Sequence, residues 1–474
     1  MPCLRRLNGV CRTLPNACLY QMWSQGGILV EEIKIIGGGL AGSEAAWQLL
    51  KRGFSVRMLE MRPIVKSPAH QTDKLGELVC SNSLGSDAPD SAAGLLKEEL
   101  RSLDSLIMKA AMTCSVPAGK ALAVDREGFS QFITDALQSH PNFTLERQEQ
   151  TFLPEEPCIV ASGPLTSPLL SAELQKKLGG SYLYFYDAVA PVIELDSVNM
   201  EIAYRKDRYA EAEGGDYVNC PMDAEQYDRF YEALISAERA PLHEFEGDAK
   251  YFEGCMPVEV IASRGRDTLR FGPLRPVGLN DPRTGKRPFA VVQIRQDNSE
   301  GTLYNIVGFQ TNLRWNEQRR VFRLIPGLEN AEFVRMGVMH RNIYVDAPRC
   351  LDGYLRPKGC ESLFLAGQIT GTEGYVEAMA SGLFAAVNTY ADIMGATRLV
   401  LPQTTAFGSL VAYATNPETS PYQPMHVNFG LVPPLQGRRM RKGERYAAYA
   451  ARAKADLAAC LEERQDLFGP KEAD

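Results

Sequence analysis

The sequence predicts an α/β protein in which a discontinuous, doubly wound Rossmann-like domain carries an inserted mixed α/β lobe, and three observations predict it. A strand, a glycine-rich turn, a helix and a second strand follow one another in "EEIKIIGGGLAGSEAAWQLLKRGFSVRMLEMR" over 31–62. An apolar strand and a helix return much later, in "ESLFLAGQITGTEGYVEAMASGLFAAVNTYADIM" over 361–394. No second G-x-G-x-x-G lies in the insertion between them, which argues for a lobe of another kind and not a second nucleotide domain. The expected layout is a dinucleotide-binding domain from 31–190 and 340–440, an insertion over 190–339, a helical tail over 441–474, and a leader over 1–30, expected to be disordered and outside the fold.

Each element has its reason. Ile33, Ile35 and Ile36 read as a short buried strand, Ser43 to Arg52 as an Ala- and Leu-rich helix stopped by Gly53, and Phe54 to Leu59 as the next strand. In the turn Gly37-Gly38-Gly39-Leu40-Ala41-Gly42, Gly37 permits the tight bend and Gly39 lets the backbone approach a pyrophosphate. Gly42 lets the helix pack against the strand, with its free N–H groups toward the anion. Glu60 closes the second strand about twenty residues on, where a carboxylate accepts ribose hydroxyls.

Three further features sharpen the ligand. Leu363 to Ala366 is an apolar strand, Gly367-Gln368 a turn, and a helix starts near Glu377. This order is similar to the late signature of two-dinucleotide flavoproteins, where strand and helix N-terminus hold the flavin end of FAD. The usual Gly-Asp is Gly-Gln here, so Gln368 must stand in for a carboxylate. "CIVASGPLTS" over 158–167 resembles the Ala-Thr-Gly strand at the edge of such domains. FAD is therefore expected ahead of NAD or S-adenosylmethionine as the tightly held ligand, with any nicotinamide a visitor.

Composition narrows the class. Of 474 residues 45% are apolar, and no run approaches the ~20 apolar residues of a membrane span. The first thirty residues are basic but lack the apolar core of a secretory signal. Eleven cysteines without C-x-x-C pairs, and five histidines without ligand spacing, point to reduced thiols in the cytoplasm and to no metal. The net charge of −7 hides a gradient, since 264–358 holds seventeen Lys/Arg against nine Asp/Glu and "GRRMRKGER" over 437–445 repeats the bias. Such runs are either solvated faces or phosphate contacts.

A family resemblance gathers these pieces. "GGGLAGSEAAWQL", "GELVCSNSLGSD", "VPAGKALAVDREGFS", "YFEGCMPVEV", "AGQITGTEGYVEAMASG" and "QPMHVNFGL" together resemble the folate- and FAD-dependent tRNA (uracil-5-)-methyltransferases, the TrmFO family, from about Ile33 to about Leu435. The GidA-type wobble-uridine enzymes share the Gly-rich start and the AGQITGTEGY stretch but are not expected to carry both "ELVCSN" and "FEGCMP". The resemblance implies methylation of C5 of the T-loop uridine of tRNA, through its T-arm. Methylenetetrahydrofolate would be the carbon donor, reduced FAD the electron source, and NAD(P)H the reductant of the flavin.

That chemistry assigns residues. Uracil C5 becomes nucleophilic only when a thiolate adds to C6, so an activated cysteine is required. Cys255, between Gly254 and Met256-Pro257 with Arg264 and Arg266 following, matches the nucleophile position, and Cys80 the second reactive cysteine, as general base or as a guard of the carbon on the flavin. Free cysteines are more often small buried hydrophobes, and the other nine carry no such match. His340 in "MGVMHRNIYVDAP" could stack on the folate's pteridine with Arg341 meeting its glutamate tail, or be a satisfied strand-end histidine. The uridine must be turned out of its loop, so Arg283, Lys286 and Arg287 become candidate phosphate contacts. Three rivals are a GidA-type wobble modifier, a flavin-thiol oxidoreductase pairing Cys80 with Cys255, and a non-enzymatic tRNA chaperone.

Overall fold

The computed structural model describes residues 32–67, 69–179, 182–210, 214–240, 256–419, 422–436 and 440–468. Its centre is a five-stranded parallel sheet in the order Leu363–Leu365, Cys158–Val160, Glu32–Ile36, Ser55–Glu60, Phe143–Arg147. The strand that follows the insertion thus lies beside the one that precedes it. Parallel pairing needs crossovers, and buried strands read as apolar runs for that reason: Ile33, Ile35, Ile159, Val160 and Leu365 are all within 1% of full burial.

Two helices lie side by side on this sheet, Leu40–Lys51 and Tyr375–Met394. They cross at small residues, since a Cβ on Gly382 would fall 2.1 Å from the Ala41 carbonyl oxygen. The first begins at Leu40 and not at Ser43, because Gly39, extended at φ −76° and ψ −168°, already acts as its N-cap. The second begins at Tyr375, two residues ahead of the expected Glu377, where Gly374 at φ +113° turns the chain in.

The antiparallel pair Tyr182–Ala188 and Met339–Val345 carries the chain out of the parallel-sheet region and back. Between them lies a six-stranded antiparallel sheet, ordered Tyr204–Arg205, Tyr217–Met222, Ala290–Gln296, Leu303–Ile306, Val192–Glu194, Phe333–Arg335. Its core is separate and aromatic, with Tyr227, Phe230, Phe309 and Phe322 fully buried, and Phe309 and Phe322 meeting edge to face at 5.2 Å. The last described elements are a 22-residue helix, Lys442–Glu463, and a short one, Gln465–Phe468. Among the described residues no helix is long and apolar enough to cross a membrane, and no cluster of His, Cys, Asp and Glu could hold a metal ion.

Candidate functional site

The glycine turn is built around backbone contacts that leave no room for side chains, except at one place. A Cβ on Gly37, at φ +105°, would stand 2.5 Å from the Ala161 carbonyl oxygen, and one on Gly42 would stand 1.9 Å from the Gly37 oxygen. A Cβ on Gly39 would meet nothing within 4 Å. That open space belongs to a cleft lined among others by Gly37, Gly39, Leu40, Ala41, Glu60 and Ser162 and by Gly367, Gln368 and Tyr375. Neither helix that starts beside it has a side-chain cap. Two uncapped positive helix ends on one cleft suit a ligand with an anionic middle, and these residues fit a dinucleotide such as FAD.

Glu60 sits at the end of its strand, 5% exposed. Its Oε2 accepts from the Gly38 amide at 2.7 Å and Arg62 Nη2 at 3.2 Å, and its Oε1 from the Arg62 amide and Nε, both at 2.9 Å. Burial pushes its carboxyl up, but the Arg62 guanidinium and the two amides outweigh burial and hold it below the usual carboxylate range. The carboxylate is thus ionised and anchored to the turn. A ribose hydroxyl reaching it competes most directly with the longest of these bonds, from Arg62 Nη2. Arg62 itself is held by Glu77 at 3.1 Å.

On the other wall, the Gly367 amide donates to Ser381 Oγ at 2.6 Å and its carbonyl accepts from Thr370 and Thr372 hydroxyls at 2.8 and 3.2 Å. Gln368 donates its amide to the Glu373 carboxylate. Gln368 thus has a carboxylate partner five residues on, behind it. Glu377, in the first turn of the long helix, accepts from the Val427 amide at 3.1 Å and faces His426 Nδ1 at 3.7 Å. Burial would lower the His426 pKa, but Glu377 and Glu373 raise it to about 9, so the imidazole carries charge at neutral pH.

Cys80 lies on a loop pinned from both lobes. Its amide donates to the Tyr375 hydroxyl at 2.7 Å, and its Sγ donates to the Ala188 carbonyl at 3.6 Å. Arg126 reaches the carbonyls of Leu78 and Cys80 at 2.7 and 2.9 Å, and Arg335 reaches that of Val79 at 2.6 Å. Arg126 is paired with the buried Asp297 of the insertion at 2.8 Å. Burial pushes the Arg126 guanidinium down, and Asp297 more than restores it. Arg295 adds bonds to Ser81 Oγ and Asn82 Oδ1 at 2.8 and 3.0 Å. Tyr375 lines the cleft, so its hydroxyl ties the cysteine loop to the wall of the dinucleotide site.

The remaining sequence-predicted residues are placed as follows. Cys255 lies outside the described residues, which resume at Met256. From there the backbone is well anchored, with the Val258 amide on the Gln310 carbonyl at 2.7 Å and buried Glu259 on Thr311 and Asn312. His340 and Arg341 sit in the strand Met339–Val345, opposite Asp187 and Tyr186. Arg283 is occupied by Asp281 and by the Glu201 and Ile202 carbonyls, which leaves exposed Lys286 and Arg287 to face solvent in that run. Sequence reasoning missed Arg126, Arg335, Tyr375 and His426. Arg126, Tyr375 and His426 fall inside motif stretches already quoted, whereas nothing local marks Arg335.

Comparison with known proteins gives three findings. Residues 32–397 match the family model described as glucose inhibited division protein A (GIDA). The chain is 57% identical over 422 residues to the methylenetetrahydrofolate–tRNA-(uracil-5-)-methyltransferase TrmFO of Anoxybacillus flavithermus, covering 88% of this chain and 97% of that one. To the TrmFO of Bacillus pumilus it is 56% identical over 421 residues, 89% and 96% of the two chains. Among solved structures it is similar in fold to GidA of Aquifex aeolicus in two crystal forms, with TM-scores of 0.64 and 0.65 and 15% and 16% identity. These cover 92% of this chain in both and 76% and 77% of the other.

Proposed function

We infer the activity from one premise: the chain belongs to the GidA family of α/β proteins and, within it, to the TrmFO proteins. We propose that it methylates C5 of the T-loop uridine of tRNA, taking the carbon from 5,10-methylenetetrahydrofolate with FAD as cofactor, in the cytoplasm. Bound FAD supplies the reducing equivalents that turn the transferred carbon into a methyl group, and NAD(P)H restores them.

The observation that supports this reading is a cleft fitted to a dinucleotide, one of whose lining residues, Tyr375, takes the Cys80 amide on its hydroxyl. In the proposed site the Leu40 and Ala41 amides and the Gly37–Gly42 turn hold the pyrophosphate, with Gly38 closed by Glu60. Glu60 orients the ribose. Gly367, Gln368 and the N-terminus of the long helix hold the flavin end. The Cys255 thiolate adds to uracil C6, which makes C5 an enolate carbon able to take the one-carbon unit. Cys80 then receives the C5 proton, whose loss expels the Cys255 thiolate from C6, or guards the carbon before transfer. His340 stacks on the pteridine and Arg341 meets the folate's glutamate tail, both on the strand that joins the two lobes. Arg126 and Arg335 touch no reacting atom; they fix the backbone that presents Cys80.

A deletion strain tests the reading against the wobble-modifying alternative, which shares the fold. Nucleoside mapping of its tRNA should show loss of 5-methyluridine in the T loop; an intact T loop with a defective wobble uridine would replace this function with the rival one. A protein that cycles a Cys80–Cys255 disulfide with NADPH and ignores folate would instead be a flavin-thiol oxidoreductase.

A further inference from the structure

Residues 398–468 lie beyond the match to the shared family model, yet they reach the candidate site. Residues 422–431 run along the Gly371–Gly374 loop: the Met425 amide donates to the Gly371 carbonyl and the Glu373 amide to that of Met425, both at 3.2 Å. This lays charged His426 against the N-terminus of the long helix, where a Cβ on Gly374 would stand 2.8 Å from its Nδ1. Three residues on, Phe429 packs on the last long helix, 4.7 Å from the Tyr446 ring and 5.3 Å from that of Tyr449. The contact fixes where that helix starts, and its start is basic. Arg441, Lys442 and Arg445 are exposed and make no ion pair with a described residue. Lys442 and Arg445 flank the Tyr446 ring at 5.4 and 5.7 Å, which pre-orders both side chains. In the sequence Arg438 and Arg439 precede them. In a chain of net charge −7, an unpaired cationic edge tied through Phe429 to the segment along the Gly371–Gly374 loop is out of keeping with the average and complementary to a polyanion.

We propose that Arg441, Lys442 and Arg445, with His426, form a docking edge for the phosphates of the RNA arm whose base enters the cleft. This rests on the tRNA reading above and adds where the arm is held. The contacts go to the backbone, so they position the arm without reading its sequence.

The test uses full-length flavin-loaded protein, a T-arm hairpin transcript and the charge-reversed variant R441E/K442E/R445E. Each cation on a phosphate contributes about one unit to the slope of log affinity against log salt. The variant should bind the hairpin at least about tenfold more weakly at moderate salt, with the slope reduced by about three. Flavin content and NADPH oxidation without RNA should equal wild type. R441Q/K442Q/R445Q, which removes the three charges without reversing them, should lose the same slope with a smaller loss of affinity. Wild-type affinity and slope in both variants, with normal methyl transfer, would overturn the docking edge alone. A wild-type protein that transfers no methyl group to the hairpin would overturn the reading beneath it.

Discussion

Alanine at Gly42 and at Gly39 should fail in different ways, and the difference tests whether the glycine turn holds a ligand. At Gly42 the added methyl would stand 1.9 Å from the Gly37 carbonyl oxygen, against the 3.4 Å at which ordinary contact begins, so the helix must move off the turn by about 1.5 Å. Neither neighbour is a flexible side chain, and overpacking of this kind costs about 1–3 kcal/mol, with or without ligand. At Gly39 the methyl meets nothing within 4 Å and the backbone is already extended, so the apoprotein should be unaffected. The methyl enters only the space assigned to the pyrophosphate. The assay is thermal unfolding of flavin-stripped protein, paired with FAD titration by fluorescence quenching. Gly42→Ala should lower the melting temperature of the apoprotein, and because the same cost is present with ligand bound it should leave the FAD affinity largely unchanged. Gly39→Ala should keep the wild-type melting temperature and lose FAD affinity. A Gly39→Ala protein that binds FAD as tightly as wild type would refute the assignment of that open space to the pyrophosphate.

Other outcomes follow from buried charge. Replacing Arg126 with Met leaves Asp297 buried without its partner and frees the Leu78 and Cys80 carbonyls, so unfolding by denaturant should show a loss of about 3–5 kcal/mol; Arg126→Met with Asp297→Leu should recover part of it. Glu99 caps the helix Ala406–Thr415 through the Ala406 and Phe407 amides at 2.6 and 3.1 Å, and burial pushes its carboxyl up to about 7. The folded state therefore holds a proton that the unfolded chain has released, and stability should fall as pH rises from about 4.5 to about 7. Glu99→Gln should flatten that part of a stability–pH curve. For His426, whose side chain is half exposed and paired with Glu377, the raised pKa gives stability that is complete below about 6.5 and lost as pH rises through about 9. In an NMR titration its ring should change charge near 9, and Glu377→Gln should bring that midpoint down.

What could be read in the sequence was local. The strand–glycine–helix–strand run over 31–62 and the later strand and helix are set by periodicity and by glycines whose spacing has a steric cause, so their order was legible. Helix starts were misplaced by two or three residues because Gly39 and Gly374 cap through backbone conformation, which leaves no side-chain signal. The supports of the site were not legible. Arg126 meets the Cys80 carbonyl across 46 positions and Arg335 meets that of Val79 across 256, and no window of sequence contains both partners. Gln368 looked like a lost carboxylate because Glu373 becomes its partner only once the Gly371 turn folds back. Arg283 looked free for phosphate because its neighbours at 201 and 202 are eighty residues away.

The central claim is that this chain moves a carbon from folate to uracil through Cys255. Purified protein should be incubated with a T-arm transcript, NADPH and methylenetetrahydrofolate labelled in its one-carbon unit, and the uridine recovered. Label at C5 of the T-loop uridine with wild type, and none with a Cys255→Ala protein that still binds FAD, is the predicted result. Label transferred equally by Cys255→Ala, or no label from a wild-type protein replete with FAD, would contradict it.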